Sequence, residues 1–150
     1  MAGNGSAELA ALAARLKATG SGGLRLQLLR GLKSGAAPLI PLVQQAARDQ
    51  LPKSGGLNEQ VASQKVSVSV RTGARTAGVR LTTTAPDTAQ TDAGFVRHPT
   101  FGRRGKGSWR TQQIPAAVGW WSKTLAASAP KVAPEMNRVL AEVAAQLQGI

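Results

Sequence analysis

One imidazole, His98, and seven carboxylates are all that this 150-residue chain, which has no cysteine, offers to acid–base or metal chemistry. The carboxylates are Glu8, Asp49, Glu59, Asp87, Asp92, Glu135 and Glu142. They are scattered over predicted helix faces and loops, and no two stand at a spacing that sets up paired acid and base roles. No nucleophile elbow is present. Without Cys there is no disulfide scaffold, Cys-ligated zinc or iron–sulfur centre, and a lone His removes most His-based metal sets. The glycine-rich run Gly102-Arg103-Arg104-Gly105-Lys106-Gly107-Ser108 resembles a phosphate loop only loosely. That loop needs four residues between its glycines and Ser or Thr directly after Lys, to hold magnesium. Here two residues separate Gly102 from Gly105, and Gly107 follows Lys106. No catalytic residue, cofactor or metal is expected.

Cations are the groups in surplus: 19 Lys and Arg stand against 7 Asp and Glu, for a formal charge of +12. From position 60 to 134 the acids are only Asp87 and Asp92, while the bases run from Lys65, Arg71, Arg75 and Arg80 through Arg97, Arg103, Arg104, Lys106 and Arg110 to Lys123 and Lys131. Such a field attracts anionic partners, nucleic acid above all, and opposes self-association unless acidic surfaces or counterions answer it. The bland alternative is a solvated basic face. Around the glycine-rich tip, Arg97, Arg103, Arg104, Lys106 and Arg110 are suited to neutralising phosphates, and Phe101 or Trp109 to stacking on a base. Equally, Phe101 and Trp109 fill a core or a subunit contact while the arginines pair with a neighbour's acids. With aromatics at 3% of the chain, packing is the favoured role. His98 belongs to the same candidate DNA- or subunit-contact set. Trp120 and Trp121 are adjacent, so one is expected to fill the gap between a hairpin and the last helix while the other meets a partner.

These groups need elements to hold them. Residues 7–18 place Leu9, Leu12, Ala13 and Leu16 on one stripe, with Ser6 as N-cap. Gly20-Ser21-Gly22-Gly23 follows a helix rather than a strand, so it reads as a helix C-cap and flexible joint, not a dinucleotide loop. From Leu24 to Leu51 apolar residues recur every three or four positions. Pro38 and Pro41 require this helix to kink or split near Ala36. A single further turn is placed at 57–62. At Lys65 the period changes to two. Lys65 to Arg71 and Ala77 to Thr83 form a β-hairpin with Val66, Val68, Val70, Val79 and Leu81 toward the core. Residues 84–94 have no period and read as loop, within a long basic loop region over 84–113 that carries short strands near 95–99 and 108–114. The C-terminus is one long amphipathic helix from about Ser122, tolerating Pro130 and Pro134.

The expected fold is therefore α+β in a single domain over 1–150: N-terminal helices (1–23 a helix and joint), a central antiparallel hairpin or small sheet, and a long C-terminal amphipathic helix packed on that sheet. No apolar stretch approaches the roughly 18 residues of a bilayer span, and the N-terminus is not a signal peptide, so a soluble intracellular product is expected. Hydrophobic content of 42%, rich in Ala, with 17 Gly and 8 Pro, makes a thin core. Either long loops surround a small core, or the chain is a subunit that completes its burial against neighbours.

The order LRLQLLRGLKSGAAPLIPLVQQAARDQLP, KVSVSVRTGARTAGVRL, FVRHPTFGRR, SWRTQQIP and GWWSKTLAASAPKV resembles a family of tail-component, tail-completion or head-to-tail connector proteins of long-tailed bacteriophages, in the form found in phages of actinobacteria. The resemblance runs from about Leu24 to Leu147. Its most specific part is Arg97-His98-Pro99-Thr100-Phe101-Gly102 followed by Trp109 and Gly119-Trp120. Thr124 departs from the proline expected in many relatives, and no family role transfers to the tip from Arg103 to Lys106, a stretch expected to vary in length. The resemblance implies a structural virion protein of the phage neck with no catalytic role, assembled in the bacterial host cytoplasm. It implies a homo-oligomeric ring, expected to be a hexamer, that joins the capsid-side connector to the tail tube and touches adjoining neck and tail-tube proteins. Non-specific contact with genomic DNA in the channel is the remaining expected partner, and no membrane is involved. A tail terminator capping the tube, or a basic DNA-binding protein acting alone, are the alternatives.

Overall fold

Helical periodicity and β-branched alternation segregate along the chain into six α-helices and four short strands, within residues 3–99 and 109–149 described by the computed structural model. Helix α1 (Gly3–Ala18) begins earlier than expected, so Ser6 lies inside the helix instead of capping it. It stops at Gly20, whose φ of 68° suits glycine. There the Ser21 N–H donates to the Leu16 carbonyl at 3.1 Å and the Gly20 N–H to the Lys17 carbonyl at 3.3 Å, the two bonds of a Schellman cap. Helix α2 (Gly22–Ala36) starts at once, so the glycines expected to form a flexible joint are the cap of one helix and the first turn of the next. The long periodic stretch splits where its prolines demand, with α3 spanning Leu39–Gln50. Pro41 sits in the first turn of α3, where a missing N–H costs no helical bond.

Helix α4 (Leu57–Ala62) leads into β1 (Val66–Arg71), which pairs with β2 (Gly78–Thr83) in an antiparallel hairpin. Residues 84–94, expected to be loop, contain helix α5 (Thr88–Ala93). Strands β3 (Phe95–Pro99) and β4 (Trp109–Gln113) form a second antiparallel ribbon inside the region expected to be a long loop. A 3₁₀ turn at Pro115–Ala117 then leads to α6 (Ser122–Gln148), which runs through Pro130 and Pro134 as one helix. No helix among the described residues is long and apolar enough to cross a membrane.

Contacts divide the chain into two compact units, one of Met1–Ile40, Val66–Thr82 and Ala129–Ile150, the other of Pro41–Lys65 and Thr83–Ser128. The residue pattern alone led to one domain. Both divisions within helices fall inside continuous periodic stretches, α3 and α6, so no change of composition marks them.

In the first unit Leu9, Leu12 and Leu16 of α1 meet Leu28 and Leu32 of α2 and Val139, Leu140, Val143 and Leu147 of α6. Each of these buried side chains is worth about 1.5–3 kcal/mol against exposure. Gly31 permits the close approach of α2 and α6: a Cβ there would lie 2.6 Å from Val139 Cγ1. Val70 and Val79 of the hairpin pack against this cluster, with β1 lying against α2. Yet Val66, Val68, Val70, Val79 and Leu81, expected to face the core, are all only half-buried. The second unit is built on Ala47 and Leu51 of α3, Val61 and Ala62 of α4, and Ala85, Ile114, Ala117 and Trp120.

Candidate functional site

The segment that joins α5 to α6 holds all the candidate residues, and its described part belongs to the second unit. Helix α5 has six residues and no large apolar side chain, so local propensity does not explain it. Its ends are set by backbone. Asp87 precedes it with φ 56°, an uncommon conformation for a non-glycine residue, and Gly94 closes it with φ 94°. A Cβ on Gly94 would meet Val118 Cγ2 at 2.5 Å. The Gly94 carbonyl accepts the Ile114 N–H at 2.7 Å, so the turn after α5 is tied to the chain leaving β4.

Two consecutive residues of α5 then position the tryptophans. Thr91 is buried, and its Oγ1 accepts the Trp120 Nε1–H at 3.0 Å while lying 3.1 Å from the Thr88 carbonyl, to which the hydroxyl donates. Trp120, 2% exposed, is the largest fully buried side chain of the chain's described residues. Asp92 works on the other side. Its Oδ1 accepts the Trp121 N–H at 2.8 Å and the Ser122 N–H at 3.0 Å, and its carbonyl accepts the Gly119 N–H at 2.8 Å. A carboxylate here satisfies free N–H groups of the first turn of α6 and faces the positive end of that helix. Trp121 is half-buried and stands edge-on to Trp120, with ring centroids 5.6 Å apart and planes at 70°. Of the two candidate anchors, then, Trp120 is core. Its cluster is Ala47 and Leu51 of α3, Val61 and Ala62 of α4, Ala85 before α5, and Ile114 and Ala117 after β4, where a place between a hairpin and the last helix was expected.

The β3–β4 ribbon carries the candidate contact residues. Its register pairs Phe95 with Gln113, Val96 with Gln112, Arg97 with Thr111, His98 with Arg110 and Pro99 with Trp109. Residues opposite one another share a face, so Arg97 and Trp109 belong to one face and Arg110 to the other. Arg97 and Trp109 line an open pocket of about 490 Å³ with Asp87 and Gln90. The Gln90 Oε1 is buried there without a hydrogen-bond partner. Val96 packs on the second unit's core, whereas every residue of β4 is exposed, Trp109 at 39%. Thus the structure brings Arg97 and Trp109 together and sets Arg110 apart from them. Phe101, Arg103, Arg104 and Lys106 lie outside the described residues, as does the His98 side chain.

Ion pairs among the described residues are few. Arg48 reaches Glu59 at 3.4 Å, and on the exposed side of α6 Arg138 reaches Glu135 at 2.8 Å and Glu142 at 2.7 Å. The hydrogen bond from Arg138 holds the Glu135 carboxyl below its ordinary pKa, and the same bond raises that of Arg138. None of the candidate contact residues takes part in these pairs. No group of three or more His, Asp or Glu among the described residues is arranged to hold a metal. Sequence reasoning singled out the tryptophans and the ribbon but missed Thr91 and Asp92, which hold Trp120 and the start of α6. The one signal was Asp92, a carboxylate in an otherwise strongly basic stretch. A scan against protein-family models finds no match to this chain, and searches of curated proteins and of solved structures find none either.

Proposed function

We propose that the chain is a structural subunit of a tailed-phage neck, a ring-forming head-to-tail connector or tail-completion protein that joins the capsid-side connector to the tail tube and performs no catalysis. One observation carries the reading: no described residue of any of the four strands is buried. Every β1 and β2 residue is half-buried or exposed, and β4 is exposed throughout. Two-stranded sheets are marginal in water, and open edges invite pairing or need a cover. A neighbouring subunit supplies both the missing burial and the cover. The first unit adds an open groove of about 700 Å³ lined by Leu9, Leu32, Leu39, Val79, Val132 and Met136. Apolar surface of this kind is what a subunit interface would bury. The motif order from Leu24 to Leu147 supports the same assignment, since Arg97 to Pro99 belong to one strand of the ribbon, Trp109 begins the other, and Trp120 is buried in the core of the same unit.

Its partners are further copies of itself, expected as a hexamer, and the adjoining neck and tail-tube proteins, with the virion as its site of action. The decisive experiment deletes the coding sequence from the phage and images the particles. Unattached heads and tails are expected. Normally joined particles would remove the proposal, as would a purified chain that stays monomeric at all concentrations and forms no rings on a connector or tail-tube partner.

A further inference from the structure

We propose that the solvent face of the β1–β2 hairpin is a contact surface for the phosphate backbone of duplex nucleic acid. This surface is a property of the hairpin alone and stands whether or not the chain forms a ring. Val70 and Val79 point to the first unit's core, so alternation turns Ser67, Ser69, Arg71, Arg80 and Thr82 to the other side. The Ser67 and Thr82 hydroxyls lie 3.1 Å apart, and Ser69 Oγ donates to the Arg80 carbonyl at 3.5 Å. Counting along from these pairs sets Arg71 opposite Gly78, which has no side chain to crowd it. Arg71 and Arg80 are then diagonal neighbours about 7–8 Å apart, far enough to neutralise separate phosphates. Arg75 adds a third exposed cation at the turn.

The chemistry of this face selects its partner. Between Glu59 and Asp87 the chain has no acid, and the ion pairs among the described residues involve only Arg48 and Arg138. The hairpin guanidinium groups therefore keep their charge for an outside anion. An acidic protein partner would call for apolar or aromatic anchors at the centre of the patch, and this face has none. Arginines interleaved with Ser and Thr hydroxyls are instead the groups that hold phosphate oxygens. In the Ser67–Thr82 pair one hydroxyl donates to the other, which leaves one O–H to donate outward.

The test measures binding of the full-length chain to two fluorescein-labelled 30-base-pair DNA duplexes of unrelated sequence, by anisotropy over a salt series. Each neutralised phosphate steepens log K against log salt by about 0.9. The double variant Arg71→Gln/Arg80→Gln should therefore flatten the slope by about 1.8 and weaken binding at 0.1 M salt by roughly 60-fold on both duplexes. Arg25→Gln/Arg30→Gln removes the same charge from the exposed side of α2 and should cost far less, while Arg71→Lys/Arg80→Lys should keep the slope. Sedimentation and melting curves on the same samples report ring formation and folding separately. Equal losses in the α2 and hairpin variants would reduce the effect to net charge and overturn the proposal. So would an unchanged slope in the folded hairpin variant, or a surface that holds polyglutamate but not duplex.

Discussion

Replacing Thr91 by Val removes one hydroxyl from the core of the second unit, and its cost can be worked out from the hydrogen bond that is lost. Thr91 and Trp120 are each 2% exposed, and the indole N–H reaches Oγ1 at 3.0 Å. No water replaces the hydroxyl at that depth, so Thr91→Val leaves the indole donor unpaired at a cost of about 1–3 kcal/mol. Trp120→Phe removes the donor together with part of the ring, costing about 2 kcal/mol through the space it leaves. In the double variant no donor is stranded, so its destabilisation should fall short of the sum of the two single ones by about 1 kcal/mol. Urea unfolding followed by far-UV circular dichroism measures all four corners of the cycle, and does not depend on the fluorescence that the Trp120 variants alter. A coupling below about 0.3 kcal/mol, the level at which independent sites add, would refute the claim that Thr91 anchors Trp120 through this bond.

Asp92→Ala should destabilise the chain by about 2 kcal/mol, because two N–H groups at the start of a 27-residue helix lose a charged acceptor; Asp92→Asn, which keeps an acceptor, should recover more than half of that in the same denaturation experiment. Gly94→Ala should cost about 2 kcal/mol by thermal melting, since it combines left-handed strain with a Cβ 2.5 Å from Val118 Cγ2. The Glu135–Arg138–Glu142 network stabilises α6 while Glu135 is ionised. Its carboxyl is held below the ordinary range in the fold, so that stabilisation is present at neutral pH and is lost as pH falls through the lowered pKa. Melting temperatures of the native chain and of Glu135→Gln should accordingly differ at pH 7 and converge in acid.

Much of the architecture was legible because its signals are local. Pro38 and Pro41 announce the break between α2 and α3, and the Val/Ser alternation from Val66 to Val70 announces a strand. Helix α5 was illegible for the opposite reason. Thr88-Ala-Gln-Thr-Asp-Ala has no apolar stripe, and its two Thr and one Asp offset the helix propensity of its two Ala. It is held by Trp120, Trp121 and Ser122, partners 29 and 30 residues away in sequence. The same distance hid Asp92, whose role is to cap a helix other than its own. Pairing of Arg97 with Trp109 on one face follows from the ribbon register, which in turn depends on a connection whose length in residues does not specify its turn. The depth of the hairpin valines could not be read either, because alternation states which side faces inward but not whether anything covers it.

That shallow burial and the charge excess bear on each other. The first unit carries ten bases against three acids, the second nine against four, so net charge opposes the approach of two copies. This repulsion reaches about 10 Å at 0.1 M ionic strength and about 30 Å at 0.01 M. Apolar contacts between half-buried strands or grooves do not weaken with salt, so self-association through them should strengthen as salt rises. The proposed duplex binding through Arg71 and Arg80 would run the other way, because counterion release would drive it. The two proposed interactions thus have opposite salt sign, and a bound polyanion would couple them. By neutralising the hairpins it removes the repulsion that opposes contact between subunits. DNA held along the hairpins should therefore promote assembly at low salt, where the free chain is most reluctant to associate, and lose that influence at high salt, where screening alone suffices.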